Sequence, residues 1–241
     1  MKSESQAPLA GKGKYDDYYS DGTPEKWRTL SASAKVDNIT NLCSRVPHDK
    51  ILEVGCGNGV VLEELDRRQF GVSLFGLEIS ESAMTQLSNK DIPSLVEAKL
   101  FDGSRLPFKD HEFDIVVLSH VVEHLEHPRI LLKEAARVAN HVFVEVPLEH
   151  TIRLAEDFDF NAVGHINFYT ATTIRRLLQT SGLIIEDQIV TDTSREVLVF
   201  QKGFTGLLQH WIRRASLMVF PKTAQRIFVY HSALLAKSEV A

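Results

Sequence analysis

Three glycines spaced two apart, Gly55, Gly57 and Gly59, follow the short apolar run Ile51-Leu52-Glu53-Val54 and precede a helically spaced segment, Val60 to Arg68. This arrangement constrains the fold more than any other feature. Glycine lets a backbone turn sharply and approach a ligand closely. A strand, a glycine loop and a helix in that order form the first βα unit of many ligand-binding α/β sheets. A dinucleotide fingerprint would read Gly-x-Gly-x-x-Gly, with a pyrophosphate at the helix N-terminus. Here the third glycine arrives one residue early, and Glu53 sets a carboxylate just ahead of the loop. A carboxylate repels a pyrophosphate and favours a ligand that carries positive charge.

The alternation continues on both sides of the loop. Residues 25–45 are helically spaced. Ser73–Ile79, Leu95–Phe101, Phe113–Ser119 and His141–Val146 read as strands, and Glu81–Asn89, Pro128–Ala139 and Thr170–Thr180 as helices. Phe113–Ser119 is apolar enough for burial on both faces. Such alternation predicts a Rossmann-like, doubly wound parallel sheet. Leu183–Val190 and Glu196–Gln201 read as a closing antiparallel hairpin, for seven strands in all. The expected domains are an N-terminal lid or helical extension (1–45), the sheet domain (46–202) and an amphipathic helical tail (203–241). In that tail Phe204, Leu207, Leu208, Trp211, Ile212 and Ala215 mark one apolar face, and five basic residues stand against one acid, Glu239.

With 241 residues, 44% of them apolar, the chain suits one α/β domain with extensions. Its net charge of −5 gives no global reason to expect nucleic acid. Cys43 and Cys56 are not in metal-ligand spacing, and a reducing cytoplasm is the expected compartment. No apolar run approaches the roughly 18 residues of a membrane span.

Four segments in register, ILEVGCGNG, LFGLEIS, LFDGSRLPF and FDIVVLSHVVEHLEHP, resemble the motifs of class I S-adenosylmethionine (SAM)-dependent methyltransferases. The resemblance spans residues 35–202 and is nearest the small-molecule enzymes of that family, which also carry a segment similar to GHINFYT before a helix. It implies that the last strand is inserted antiparallel. It also implies that Glu53 and the loop Gly55, Cys56, Gly57 and Gly59 hold the methionine end of SAM. Glu78 would take the ribose, Ile79 the adenine face and Asp102 the adenine amino group, with Gly103 keeping the backbone close. Ser119 and His120 would reach the methionine ammonium. The residues themselves agree with part of this. Glu78 lies nineteen residues after Gly59 at a strand's C-terminal end, where an acid can accept both ribose hydroxyls. It could instead cap the helix after Ser80, and Asp102-Gly103 could be an ordinary turn.

For the acceptor, His120, Glu123, His124 and His127 cluster after the fourth strand. Glu123 or His124 could serve as general base, the cluster could bind a metal, or it could line the loop and cap the next helix. A third metal ligand at recognisable spacing is missing, so no metal is expected. His165, after Gly164, is a further base candidate or a cap for the helix near Thr170. Tyr15, Tyr18 and Tyr19 could form a lid or pack on the domain, and acidic residues within 148–165 could favour a cationic acceptor or form a solvated face. The tail could pack on its own domain, pair with a second copy, or lie on an anionic membrane.

The expected function is methyl transfer from SAM to oxygen or nitrogen of a small polar acceptor such as a sugar or natural product. The rivals are a protein or RNA methyltransferase, for which no basic recognition region is evident, a non-catalytic SAM-binding regulator on the same fold, and an NAD-dependent dehydrogenase.

Overall fold

The computed structural model describes residues 25–103, 105–154 and 164–238. The three tyrosines of the expected lid, and Glu156, Asp157 and Asp159, lie outside them. In chain order the elements are α1 (Glu25–Cys43), β1 (Lys50–Val54), α2 (Val60–Arg67), β2 (Ser73–Glu78), α3 (Glu81–Ser88), β3 (Leu95–Leu100) and β4 (Phe113–Ser119). A 3₁₀ turn (Val122–His124) then leads to α4 (Pro128–Val138), β5 (Ala139–Pro147), α5 (Ala171–Gln179), β6 (Leu183–Thr191), α6 (Arg195–Val219), α7 (Pro221–Ile227) and β7 (His231–Ser238).

The seven strands form one sheet in the order β3-β2-β1-β4-β5-β7-β6. Strands β1 to β5 are parallel, and β7 runs antiparallel to both neighbours. The inner strands send alternate side chains to two cores. Leu52, Val116, Leu118, Val144 and Leu234 face α4 and α5, where Leu132 and Ile174 meet them. Ile51, Ile115, Val117, Phe143 and Leu235 face the other way, toward Val36 and Ile39 of α1 and Leu62 of α2. Burial on both faces explains why these strands are continuous apolar runs.

Local chemistry sets the helix ends. Ser80 caps α3 by accepting from Ala83 N, and Thr170 and Thr173 form a capping box on α5. Pro128 opens α4 at a position where its missing N–H is no loss. Gly59 starts α2 with φ 77°, and a Cβ there would lie 2.3 Å from Leu87 Cδ1.

Two expectations need correction. Glu196–Gln201 is not a strand. It is the first part of α6, capped by Ser194, whose side chain accepts from Val197 N. The partner of β6 is β7, so residues 203–241 are not a separate helical tail: their last described stretch completes the sheet. The segment α6–α7 is an excursion between the last two strands. Backbone dihedrals break α6 into two helices at Gly203.

Candidate active site

The strand order reverses between β1 and β4, and open α/β sheets bind ligands at the carboxyl ends of strands beside such a point. A cavity of about 1900 Å³ lies there. The β1 loop forms its floor, α1 and α6 close its sides, and the end of β4 reaches into it.

Gly55, Gly57 and Gly59 have φ of 75°, 54° and 77°, the left-handed region that glycine enters without a Cβ clash. Gly55 N and Cys56 N both donate to Leu77 O, at 2.7 and 3.0 Å, which staples the loop to β2. Glu78, at the end of β2, is buried and accepts three backbone N–H groups: Gly57 on Oε2 at 2.7 Å, and Ile79 and Ser80 on Oε1 at 2.8 and 3.0 Å. It is therefore an organiser of the loop rather than a helix cap, a role Ser80 fills. Each oxygen keeps further acceptor capacity.

Glu53 is buried beside the loop, and its Oε2 makes no hydrogen bond among the described residues. Burial pushes its carboxyl up to about 8, with Lys35 of α1 pulling down and Glu78 pushing up. Cys56 is buried, and burial followed by the Glu53 and Glu78 charges raises its thiol well above the ordinary range. It is structural rather than reactive.

The remaining predicted cofactor residues divide. Ile79, Gly103, Ser119 and His120 line the cavity. Gly59 shapes the loop from behind, and Asp102 is exposed and not part of the cavity wall. Ser119 Oγ donates to Glu145 Oε2 at 3.1 Å. Glu145, at the end of β5, also accepts from Asn38 Nδ2 of α1 at 2.7 Å, and burial pushes its carboxyl up to about 7. His120 has φ 59°, an uncommon conformation for a non-glycine residue and one that recurs at functional sites. Its ring meets that of His231, from β7, with centroids 5.1 Å apart.

The acceptor candidates separate by depth. His124 and His165 line the cavity, with ring centroids 4.7 Å apart. Glu123 is 0% exposed and lies outside the wall. His120 Nδ1 is 3.2 Å from Glu123 Oε1, yet neither Glu123 oxygen has a hydrogen-bond partner among the described residues. Burial raises the Glu123 carboxyl above its ordinary range and lowers His120 well below its own. Nδ1 of His165 lies 2.6 Å from Glu149 Oε2. Burial pulls the His165 pKa down, but the Glu149 contact, with Glu123 behind it, outweighs burial and the net shift is upward. His124 is lowered, chiefly by burial, and its Nδ1 lies 3.2 Å from Gly164 O. His165 does not cap α5, since Thr170 does. His127 sits at the start of α4, away from the cavity.

A third group for the Glu123–His124 pair does exist: one atom each of Glu123, His124 and His165 lie within 4.8 Å of one another. In sequence His165 stands forty-one residues past His124, too far to register as a ligand spacing. Lys35, Asn38, Glu145 and His231 also escape sequence reasoning, and Glu149 enters it only as one acid of the 148–165 segment, not as the partner of His165. Only Glu145 carries a usable signal, an acid closing a buried apolar strand as Glu53 and Glu78 do.

Fold and site together define the class I SAM-dependent methyltransferase type. A family model described as a methyltransferase domain matches residues 26–188, and the chain belongs to this family. Among curated relatives, the demethylmenaquinone methyltransferase of Corynebacterium urealyticum is 35% identical over 92 residues, 38% of this chain and 37% of that protein. The trans-aconitate 2-methyltransferase of Deinococcus radiodurans is 24% identical over 205 residues, 78% of this chain and 77% of that one. The matched stretch is about half or less of the first three curated relatives' own lengths, 51%, 37% and 26%. Among solved structures, a Haloferax volcanii methyltransferase in complex with the Trm112 methyltransferase activator superposes with a TM-score of 0.68 at 14% identity, over 93% of this chain and 97% of that one. A SAM-dependent methyltransferase from Aquifex aeolicus gives 0.57 at 14% identity, over 92% and 97%. At such identity these structures speak for the fold.

Proposed function

We propose that this protein moves the methyl group of SAM onto oxygen or nitrogen of a small polar acceptor held in the same cavity. The observation that carries this reading is the buried, unpartnered Oε2 of Glu53 beside a left-handed glycine loop organised by Glu78. That donor set fits SAM: an acid for the ammonium at Glu53 and acceptors for ribose hydroxyls at Glu78. When bound, SAM supplies an activated methyl on a sulfonium. The cavity exceeds the ~300–1,000 Å³ of ordinary small-molecule sites, so cofactor and acceptor both have room. The curated relatives named for demethylmenaquinone and trans-aconitate methylation support a small-molecule acceptor.

The protein's own task is then mainly positioning, which can be worth ~7–11 kcal/mol in favourable cases. Ser119 and Asn38 hold the Glu145 carboxyl at the end of β5. Glu149 orients His165, which takes a proton from a hydroxyl or ammonium acceptor at Nε2. His124, kept neutral by burial, packs against that ring.

Titration calorimetry with SAM and with NAD tests the cofactor assignment: SAM should bind and NAD should not. In Glu78→Ala, lost hydrogen bonds to a charged acceptor, roughly 1.5–3 kcal/mol each, should weaken SAM by about 10- to 150-fold. The variant should also melt lower, because three N–H groups lose their acceptor. Unchanged affinity in the folded variant would put the ribose elsewhere. A panel of sugar, phenol, amine and peptide acceptors with methyl-labelled SAM then identifies the acceptor class.

Glu53 adds a proton signature. Its carboxyl is largely protonated at neutral pH in the free protein, and a bound ammonium favours the carboxylate. SAM binding near pH 7 should release protons, and affinity should rise between pH 6 and about 8. Calorimetry in buffers of different ionisation enthalpy reads this directly. Proton uptake, or a pH-independent affinity, would remove Glu53 from the cofactor site.

A further inference from the structure

Beyond Gly203, helix α6 turns its apolar stripe outward. Phe204, Leu208, Trp211, Ile212 and Val219 repeat at helical spacing on one face and are all exposed, Phe204 at 82%. Met218 and Phe220 extend the patch. The inward face is Gly206, His210 and Arg213, all buried. This is the reverse of a helix that packs on its own domain.

Buried contacts hold the helix in that rotation. A Cβ at Gly206 would lie 2.0 Å from Leu198 O, so the helix crosses the preceding one at backbone contact. Arg213 Nε donates to Asp192 Oδ1 at 2.7 Å, and its guanidinium sits 4.9 Å from the Tyr230 ring centre. The stripe cannot roll inward without breaking a buried ion pair. An exposed apolar patch of this extent marks an interaction surface.

The rim identifies the occupant. Arg214, Lys222 and Arg226, in the segment that carries the patch, are exposed, as are Arg195 and Lys202 ahead of the Gly203 break; Arg195, Lys202 and Arg214 also line the cavity, and Glu196 is the single acid in residues 195–230. A two-fold contact between copies would set this basic rim against itself. An anionic bilayer takes both parts, apolar side chains at the acyl boundary and basic ones at the headgroups. We propose that the outward face of α6, with the start of α7, docks this protein peripherally on an anionic lipid membrane. None of the described helices is long and apolar enough to cross one. The segment lies beyond the residues matched by the family model. Trp211 and Met218 belong both to the patch and to the cavity wall, so the cavity opens beside the docking face. The surface stands independently of methyl transfer.

The test is co-sedimentation of the full chain with vesicles of phosphatidylcholine alone and of phosphatidylcholine with phosphatidylglycerol. The anionic vesicles should bind it and the neutral ones far less, with binding falling as salt rises. Leu208→Glu/Ile212→Glu and Lys222→Glu/Arg226→Glu should each weaken anionic binding by about tenfold or more while melting like the wild type. Lipids with brominated acyl chains should quench tryptophan fluorescence in the wild type and not in Trp211→Phe. A wild type that ignores anionic vesicles overturns the proposal, as does vesicle binding that survives both double variants. A stable dimer that Leu208→Glu/Ile212→Glu converts to monomer also overturns it, in favour of a second copy on this face.

Discussion

A chain ending at Phe228 is expected not to fold. Strand β7 lies between β5 and β6, paired from His141–Lys237 to Pro147–His231 on one side and from Leu183–Ser238 to Thr191–His231 on the other. Its removal takes Leu234 from one core and Leu235 from the other, each fully or almost fully buried and worth roughly 1.5–3 kcal/mol. It also takes Tyr230, whose hydroxyl donates to Arg213 O at 2.7 Å, and leaves β6 with no strand beside it. Native domains hold only about 5–15 kcal/mol in total, so the loss should consume most of it. Soluble yield and thermal circular dichroism of residues 1–228 against the full chain read the outcome. A cooperative melt within a few degrees of the full chain would show that β7 is dispensable.

The second large effect concerns proton removal. His165→Asn is expected to lower kcat by about 10²–10⁴-fold on a hydroxyl acceptor, the range of general-base catalysis, with SAM affinity retained. A carboxylate 2.6 Å from Nδ1 fixes the ring and its tautomer, leaving Nε2 to take the proton. Because Glu149 and Glu123 lift the His165 pKa above its ordinary value despite burial, the active neutral form grows in only above that value. The kcat profile should therefore rise with pH through a midpoint above about 6.5. Glu149→Gln removes a charge that stabilises the imidazolium, so its midpoint should move to lower pH, a shift that a merely structural contact would not produce. His124→Asn should cost less. If both histidine variants keep the wild-type rate and pH profile, no histidine base operates and the acceptor attacks unaided, as a neutral amine can.

The inner parallel strands β1, β2, β4 and β5 are legible from residues because they are mostly buried apolar runs, whereas the edge strand β3 is largely half-buried or exposed. The C-terminal third is not legible. Glu196–Gln201 has the β-branched and aromatic content of a strand, and a run that short cannot be told from a helix by periodicity. Ala-Leu-Leu-Ala in β7 is made of good helix formers, and the place between β5 and β6 makes it a strand. Within the site, Glu53 and Glu78 are legible because each closes a strand beside the glycine loop. The pairing of His165 with Glu149 is a contact between irregular segments, and Lys35 and His231 arrive from opposite ends of the chain. For α6, spacing reveals an apolar face without saying which way it points.

The cavity wall draws on residues from Trp27 to His231. A ribosome delivers these in order, N-terminal parts first. The glycine loop and both of its acids emerge early, the α6 wall much later, and His231 only with β7. A fragment that ends before β7 lacks part of that wall. Because a ligand stabilises only the state that binds it, SAM would protect molecules that have placed β7 in the sheet more than chains interrupted before it.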